Sequence, residues 1–142
     1  ENRGKINDRA LLESLLEKQI REELDSAKPI VIIFYPGKDP CNSSGSASIQ
    51  SRIGWYKELD KGVQQIAQVK PIYIYKDKDG LEKMKVLLTW TKVPQGAIEG
   101  SFFLYHYPCS SFVVISKEGN YISYFGEFPK EYVWEATQVL NN

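Results

Sequence analysis

The stretch "PIVIIFYP", residues 29 to 36, constrains this chain most. Six consecutive residues, Ile30 to Tyr35, are β-branched or aromatic, with no polar residue among them. A strand with one wet face alternates apolar and polar side chains; a strand covered on both faces does not. The run therefore predicts a strand buried on both sides, in a parallel or mixed sheet that carries helices on each face. The flanking sequence supplies such helices. "NDRALLESLLEKQIREELDSA" places Leu11, Leu12, Leu15, Leu16, Ile20 and Leu24 at helical spacing, with Asn7 or Asp8 as N-cap. "SSGSASIQSRIGWYKELDKGVQQIAQV" does the same with Ile49, Ile53, Tyr56, Leu59 and Val63, interrupted only by Gly54.

Further along, "KPIYIYKDKDG" is a second strand through Ile72, Tyr73, Ile74 and Tyr75, followed by a turn. "LEKMKVLLTWTK" has two readings. It is a helix through Leu81, Met84 and Leu88, which the spacing favours, or a strand that closes a hairpin around Asp79-Gly80. "VPQGAIEG" reads as loop. "SSFVVISKEGNYISYFG" is a hairpin about a Lys-Glu-Gly-Asn turn. "PKEYVWEATQVL" is a closing helix with Pro129 at or just before its first turn and Tyr132, Val133, Ala136 and Leu140 as its apolar side. The aromatic group Tyr121, Tyr124, Phe125, Phe128, Tyr132 and Trp134 is expected between sheet and last helix; any part left exposed would be a protein-binding face.

The totals exclude several classes of function. The 142 residues suit one domain, 1–142. Eighteen basic and eighteen acidic residues cancel, so no long-range field draws the chain to phosphate backbones, and nucleic acid is not an expected partner. No apolar run approaches the roughly 20 residues that cross a bilayer. The chain begins at Glu1 rather than Met, so a processed or trimmed protein is expected, with any membrane anchor in a missing N-terminus. One histidine excludes a multi-histidine metal site, and the two cysteines match no zinc spacing. "KDKDG" lacks the length and the later glutamate of a calcium loop. Neither metal nor cofactor is expected.

The chemistry-bearing residue is Cys41, which lies between the first strand and the helical pattern that follows it. At a helix N-terminus a thiolate meets unsatisfied N–H groups and the positive end of the helix dipole. Such sites lower the thiol pKa from about 8.5 to roughly 3.5–7.5. Lys38 adds to this and Asp39 opposes it. The other reading is an inert cysteine in a polar loop. Ser43, Ser44 and Ser46 are N-cap candidates, and Asn42-Ser43-Ser44 matches a glycosylation sequon. His106, between Tyr105 and Tyr107, is either a base near Cys109 or an ordinary surface histidine. Trp55 and Tyr56 either border a partner groove or pack in the core.

Three stretches carry a family resemblance: "IVIIFYPGKDPCNSS", "ELDKGVQQIAQVKPIYIYKDKDGL" and "YPCSSFVVISKEGNYISYFGEF". They resemble the thioredoxin-like superfamily, in its secreted thiol–disulfide branch. The resemblance implies an α/β thioredoxin-like fold, a central mixed sheet flanked by helices, and thiol–disulfide exchange with protein thiols or disulfides outside the cytoplasm, in a periplasmic or secreted setting. The family's Cys-x-x-Cys falls on Cys41-Asn42-Ser43-Ser44, so Ser44 stands where the second cysteine would be. Pro40 replaces an aromatic residue before Cys41, and Ile33 stands where the family often carries an acid. The long turn is similar to that of peroxiredoxins, but Gly37, Lys38, Asp39 and Pro40 include no peroxide-holding Thr or Ser. Pro108 corresponds to the cis-proline loop, although counting back from Gly119 reaches Ser110 instead. Tyr107, Pro108 and Pro40 would border the peptide-docking edge. The same fold would bring Cys109 near Cys41. That pair is then a redox couple, with Cys41 attacking and Cys109 resolving, or a structural disulfide worth about 4 kcal/mol in the chain-entropy picture, or two free thiols. The alternative function is a redox-inactive module that binds a protein through the same groove.

Overall fold

The apolar run is a strand, and it lies in the interior of a single sheet. The computed structural model describes residues 2–35, 49–75, 90–92, 111–125 and 128–141. In chain order the elements are β1 (Asn2–Lys5), α1 (Arg9–Ile20), β2 (Ile30–Tyr35), α2 (Ile49–Ala67), β3 (Ile72–Tyr75), β4 (Trp90–Lys92), β5 (Ser111–Ile115), β6 (Asn120–Phe125) and α3 (Lys130–Leu140). The strands are ordered β1-β6-β5-β2-β3-β4. β2 is parallel to β3 and antiparallel to β5; β3 and β4 are parallel; β5, β6 and β1 are successively antiparallel. This is the mixed sheet that a strand covered on both faces demands.

Alternation along β2 sends its side chains into two separate cores. Val31 and Ile33 pack with Tyr73, Phe112, Val114 and Ile122 beneath Tyr56, Leu59 and Val63 of α2 and Val133, Ala136 and Leu140 of α3. Ile30, Ile32 and Phe34 pack with Ile72, Ile74, Val113 and Ile115 beneath Leu12 and Leu16 of α1. Ile30 to Phe34 are each no more than 3% exposed. One face of the sheet therefore carries α1, and the other carries α2 and α3.

Several elements differ from the sequence reading. α1 stops at Ile20, although the apolar spacing continues to Leu24. Arg21 takes a left-handed backbone, φ 60°, and its N–H donates to Glu17 O, which closes the helix. The Leu24 N–H then donates to the Glu17 carboxylate at 2.7 Å, so Leu24 reaches the α1-side core from a loop. Asp8 is the N-cap, its carboxylate accepting from the Leu11 N–H at 3.0 Å. Leu11 itself is 57% exposed rather than part of the buried stripe. Tyr132, expected on the buried side of α3, is 43% exposed.

β1 was not anticipated. "NRGK" has no apolar alternation, and all four residues are exposed. It is a strand because β6 offers an open edge. Gly4 lies opposite Tyr121, and a Cβ there would come within 2.7 Å of the phenol oxygen, so the ring lies over bare backbone. Tyr121 is thereby held on the α1 side of the sheet, away from the aromatic group expected under α3. The hairpin reading of residues 73–90 fails for the described part, since β4 runs parallel to β3. A parallel neighbour needs a crossover of about a dozen residues or more, commonly a helix. The helix expected through Leu81, Met84 and Leu88 lies outside the described residues.

The β5–β6 turn is as expected. Gly119 has φ 95°, a conformation that only glycine adopts without strain, and its N–H donates to Ser116 O. The Ser116 hydroxyl accepts from the Asn120 N–H at 3.0 Å. Pro129, extended at φ −74° and ψ 150°, is the residue from which α3 starts.

Candidate thiol site at one end of the sheet

Registers place four strand ends together. Phe34, near the C-terminal end of β2, is opposite Ser111, the first residue of β5. Ser111 is in turn opposite Phe125, the last residue of β6. Tyr35 of β2 is level with Tyr75, the end of β3. The chain thus leaves β2 toward Cys41 and α2 from the end at which it arrives from Cys109 into β5. Cys109 is two residues before Ser111, and Cys41 is in the stretch between Tyr35 and Ile49. The six residues expected to make the site, Pro40, Cys41, Ser44, Tyr107, Pro108 and Cys109, lie outside the described residues, as do His106, Lys38 and Asp39. The sheet fixes where their flanking segments begin and end.

The surface beneath this end is aromatic on the α2 and α3 side. Trp55 packs edge-on against Tyr56, with centroids 5.0 Å apart, and lies 5.7 Å from Phe128. Phe128 meets Phe112 edge-on at 4.8 Å, and Phe112 stacks with Tyr124 at 6.2 Å. Tyr56 and Phe128 are buried, while Trp55 is partly buried against the same core. Tyr56 is thus a core residue, and Trp55 lies at its boundary. Tyr124 and Trp134 are likewise partly buried on this side, so three of the six aromatic residues, Tyr124, Phe128 and Trp134, pack as expected, while Tyr121 lies on the α1 side and Tyr132 is strongly exposed.

Among the described residues, proton-handling groups are sparse at this end of the sheet. Ile33 is 1% exposed and fills the α2-side core where the family resemblance would place an acid. Tyr73, beside it on β3, has its phenol pushed far above the ordinary tyrosine range, chiefly by burial and secondarily by the charge of Asp60 and by Tyr56. It stays protonated at any physiological pH and cannot act as a base. The only charged side chain among the buried described residues is Arg9, at the opposite end of β2, where it donates to the carbonyls of Asp25 and Lys28 and to Glu13. Among the described residues no group of three or more His, Cys, Asp or Glu is placed to hold a metal ion.

One residue of this end was missed by the sequence reading. Ser111 is completely buried, and its Oγ has no hydrogen-bond partner among the described residues. An unpaired buried hydroxyl costs about 1–3 kcal/mol, which makes such groups uncommon. The available signal was a serine opening an otherwise apolar strand, on the same alternation as Val113 and Ile115.

α2 and α3 both follow strands that end at this end of the sheet, so their N-termini point the same way. They are joined by Lys130 Nζ and the Glu58 carboxylate at 2.7 Å, and by the Trp134 indole N–H, which donates to Leu59 O at 3.1 Å. Gly62 makes the second contact possible, because a Cβ there would overlap the Trp134 indole.

A β-α-β unit with parallel strands, an antiparallel hairpin on the other flank of β2 and a closing helix beside α2 settles the architecture. The chain has the thioredoxin-like fold. Its sheet and helices match the crystal structure of the exposed lipoprotein thioredoxin Etrx1 from Streptococcus pneumoniae strain TIGR4, with a TM-score of 0.51 over 81% of this chain and 87% of that one. Sequence identity is 12%, so the likeness is one of thioredoxin-like fold. No protein-family profile matches the chain, and no curated protein sequence matches it. Among the described residues no helix is long and apolar enough to cross a membrane.

Proposed function

We propose that this thioredoxin-like chain exchanges thiols and disulfides with partner proteins, with Cys41 as nucleophile and Cys109 as its resolving partner. The observation that carries this reading is the Phe34–Ser111 pairing, which releases both cysteine-bearing segments from the same end of the sheet. In the reductive direction the Cys41 thiolate attacks one sulfur of a partner disulfide. A mixed disulfide forms and the other partner sulfur leaves as a thiolate. The Cys109 thiolate then attacks Cys41 Sγ. A Cys41–Cys109 disulfide forms, the partner's second sulfur leaves, and both partner thiolates take up protons. The partner gains two electrons and this chain loses two; a dithiol of protein or small-molecule class resets it. Ser44 cannot serve in place of Cys109, because exchange needs a second sulfur; its part is to cap α2 or to donate a hydrogen bond to the Cys41 thiolate. Pro40, Tyr107 and Pro108 would form the edge on which an extended partner segment lies.

The proposal extends to context. All described strands belong to one sheet, which supports a single domain over 1–142. A fold neighbour named as an exposed lipoprotein supports a location outside the cytoplasm, periplasmic or secreted.

A second reading keeps the groove and drops the chemistry, leaving a protein-binding module with a structural or idle cysteine pair. Ile33 favours it, since a buried isoleucine leaves no carboxylate behind the thiol. Steady-state reduction of a disulfide-bonded model protein, with a dithiol as electron source, separates the two. Exchange predicts acceleration by the native chain, loss of it in Cys41→Ala, and an accumulated mixed disulfide in Cys109→Ala. No acceleration by the native chain leaves the binding module.

A further inference from the structure

The outer edge of β6 is covered by a strand that contributes nothing to either core. All four residues of β1 are exposed. The strand is joined to β6 by backbone pairing from Asn2↔Ser123 to Lys5↔Asn120, with the Tyr121 ring lying over Gly4. Burial of apolar surface is the main force that holds an element in place, and a segment without it opens at low cost. Anchorage begins one residue later. Ile6 is partly buried against the α1-side core, its N–H donates to Gly119 O at 2.9 Å, and Asp8 then caps α1. β1 is therefore a strap hinged at Ile6, and its opening disturbs neither core.

The strand beneath it is of another kind. "NYISYF" is rich in aromatics and has no charge and no proline. Those are the features that make an open edge pair with another chain. β1 brings the opposite features to the rim of the sheet, being four residues long and carrying Arg3 and Lys5.

We propose that the outer edge of β6 is a latent pairing surface for a second copy of this chain, and that β1 guards it. Antiparallel pairing of β6 with its own copy has the two-fold symmetry of a closed dimer. Because β6 is uncharged, no register of that pairing sets like charges opposite each other. The whole chain has eighteen bases and eighteen acids, so no net charge holds two copies apart. With the strap open, the two sheets join through β6; with it closed, the chain is a monomer.

Two measurements test this, both in excess dithiol so that Cys41 and Cys109 cannot link chains and the outcome is independent of the proposed exchange activity. The first is native-state hydrogen exchange of the unmodified chain. Amides of the β1–β6 ladder are expected to show protection about 100-fold or more below those of the β2–β5 ladder. Equal protection in the two ladders overturns the strap. The second is the doubly substituted chain Gly4→Pro with Lys5→Pro, which detaches β1 by removing backbone donors and by misfitting the strand. It is expected to keep its far-UV circular dichroism. In sedimentation its mass should rise with concentration from that of one chain toward that of two, while the native chain stays at one. In the dimer the β6 amides that had bonded to β1 should be protected again. A folded proline variant that stays monomeric, or a dimer that leaves those amides unprotected, overturns the pairing surface. A proline variant that loses its circular dichroism makes β1 part of the fold rather than a strap, and also overturns the proposal.

Discussion

Phe34 and Ser111 stand opposite each other where β2 and β5 end, both buried, one apolar and one with a hydroxyl unpaired among the described residues. Their pairing joins the two halves of the candidate site. It turns a large separation along the chain into a shared end of one sheet.

Gly62 and Gly54 are both helical glycines in α2, and they should respond in opposite directions. A Cβ at Gly62 overlaps the Trp134 indole, which is itself fixed by its hydrogen bond to Leu59 O. Gly62→Ala should cost about 1–3 kcal/mol, as overpacking does. At Gly54 an added Cβ meets nothing within 4 Å among the described residues. Gly54→Ala should stabilise by about 0.4–1 kcal/mol through the unfolded chain. Urea unfolding followed by Trp fluorescence measures both.

Arg9 fastens α1 to the turn before β2. It is 8% exposed and bonds the Glu13 carboxylate and the Lys28 carbonyl. Arg9→Met should cost about 3 kcal/mol, because it strands a largely buried carboxylate without its partner. The paired change Arg9→Met with Glu13→Gln should recover part of that loss. Chemical denaturation of the two variants checks the coupling.

The Glu58–Lys130 bridge gives a signed pH dependence. The hydrogen bond and charge of Lys130 hold the Glu58 carboxyl below the usual glutamate range, and Glu58 in turn raises Lys130 above the usual lysine range. A depressed carboxyl contributes stability above its unfolded pKa and loses it as pH falls through the folded value. A raised lysine contributes below its ordinary pKa and loses it as pH rises through the folded value. Glu58→Gln should therefore unfold at a lower temperature than the native chain near pH 7. That difference should shrink toward pH 3, and also in high salt, since the pair faces solvent. Thermal scans at the two pH values measure it.

Asp8→Ala removes the side-chain acceptor of the Leu11 N–H at the start of α1. The expected cost is about 1 kcal/mol, read from the midpoint of urea unfolding at an unchanged slope.

The parts of the fold legible in the sequence are those where local pattern and tertiary need coincide. "IVIIFY" reads as a doubly covered strand because burial on both faces removes polar residues from it. Tyr56, Leu59 and Val63 read as a core stripe because α2 meets the sheet along its length. Other parts depend on the partner rather than on the segment. "NRGK" becomes a strand only beside β6, with Tyr121 lying over Gly4, and nothing within those four residues signals it. The end of α1 is set by the left-handed Arg21 and the reach of Glu17 to the Leu24 N–H, while Leu24 keeps the helical spacing from outside the helix. Tyr132 matches the apolar period of α3 but lies at the edge of the layer, 5.3 Å from Tyr124, where the sheet no longer covers it. For the site, the sequence gives the identities of Cys41 and Cys109 and the order of elements around them. That Ser111 is a hydroxyl buried at the end of the sheet follows only from its burial and strand register.

Whether Cys41 and Cys109 form one redox couple is decided by a redox titration in a dithiol buffer that counts free thiols and follows Trp fluorescence together. A redox couple gives a two-electron transition between about −270 and −120 mV, the range of working exchangers, in which both cysteines appear as thiols at once. A bond that resists reduction below about −300 mV would make the pair a structural staple, and two thiols that alkylate before any reductant is added would contradict the couple altogether.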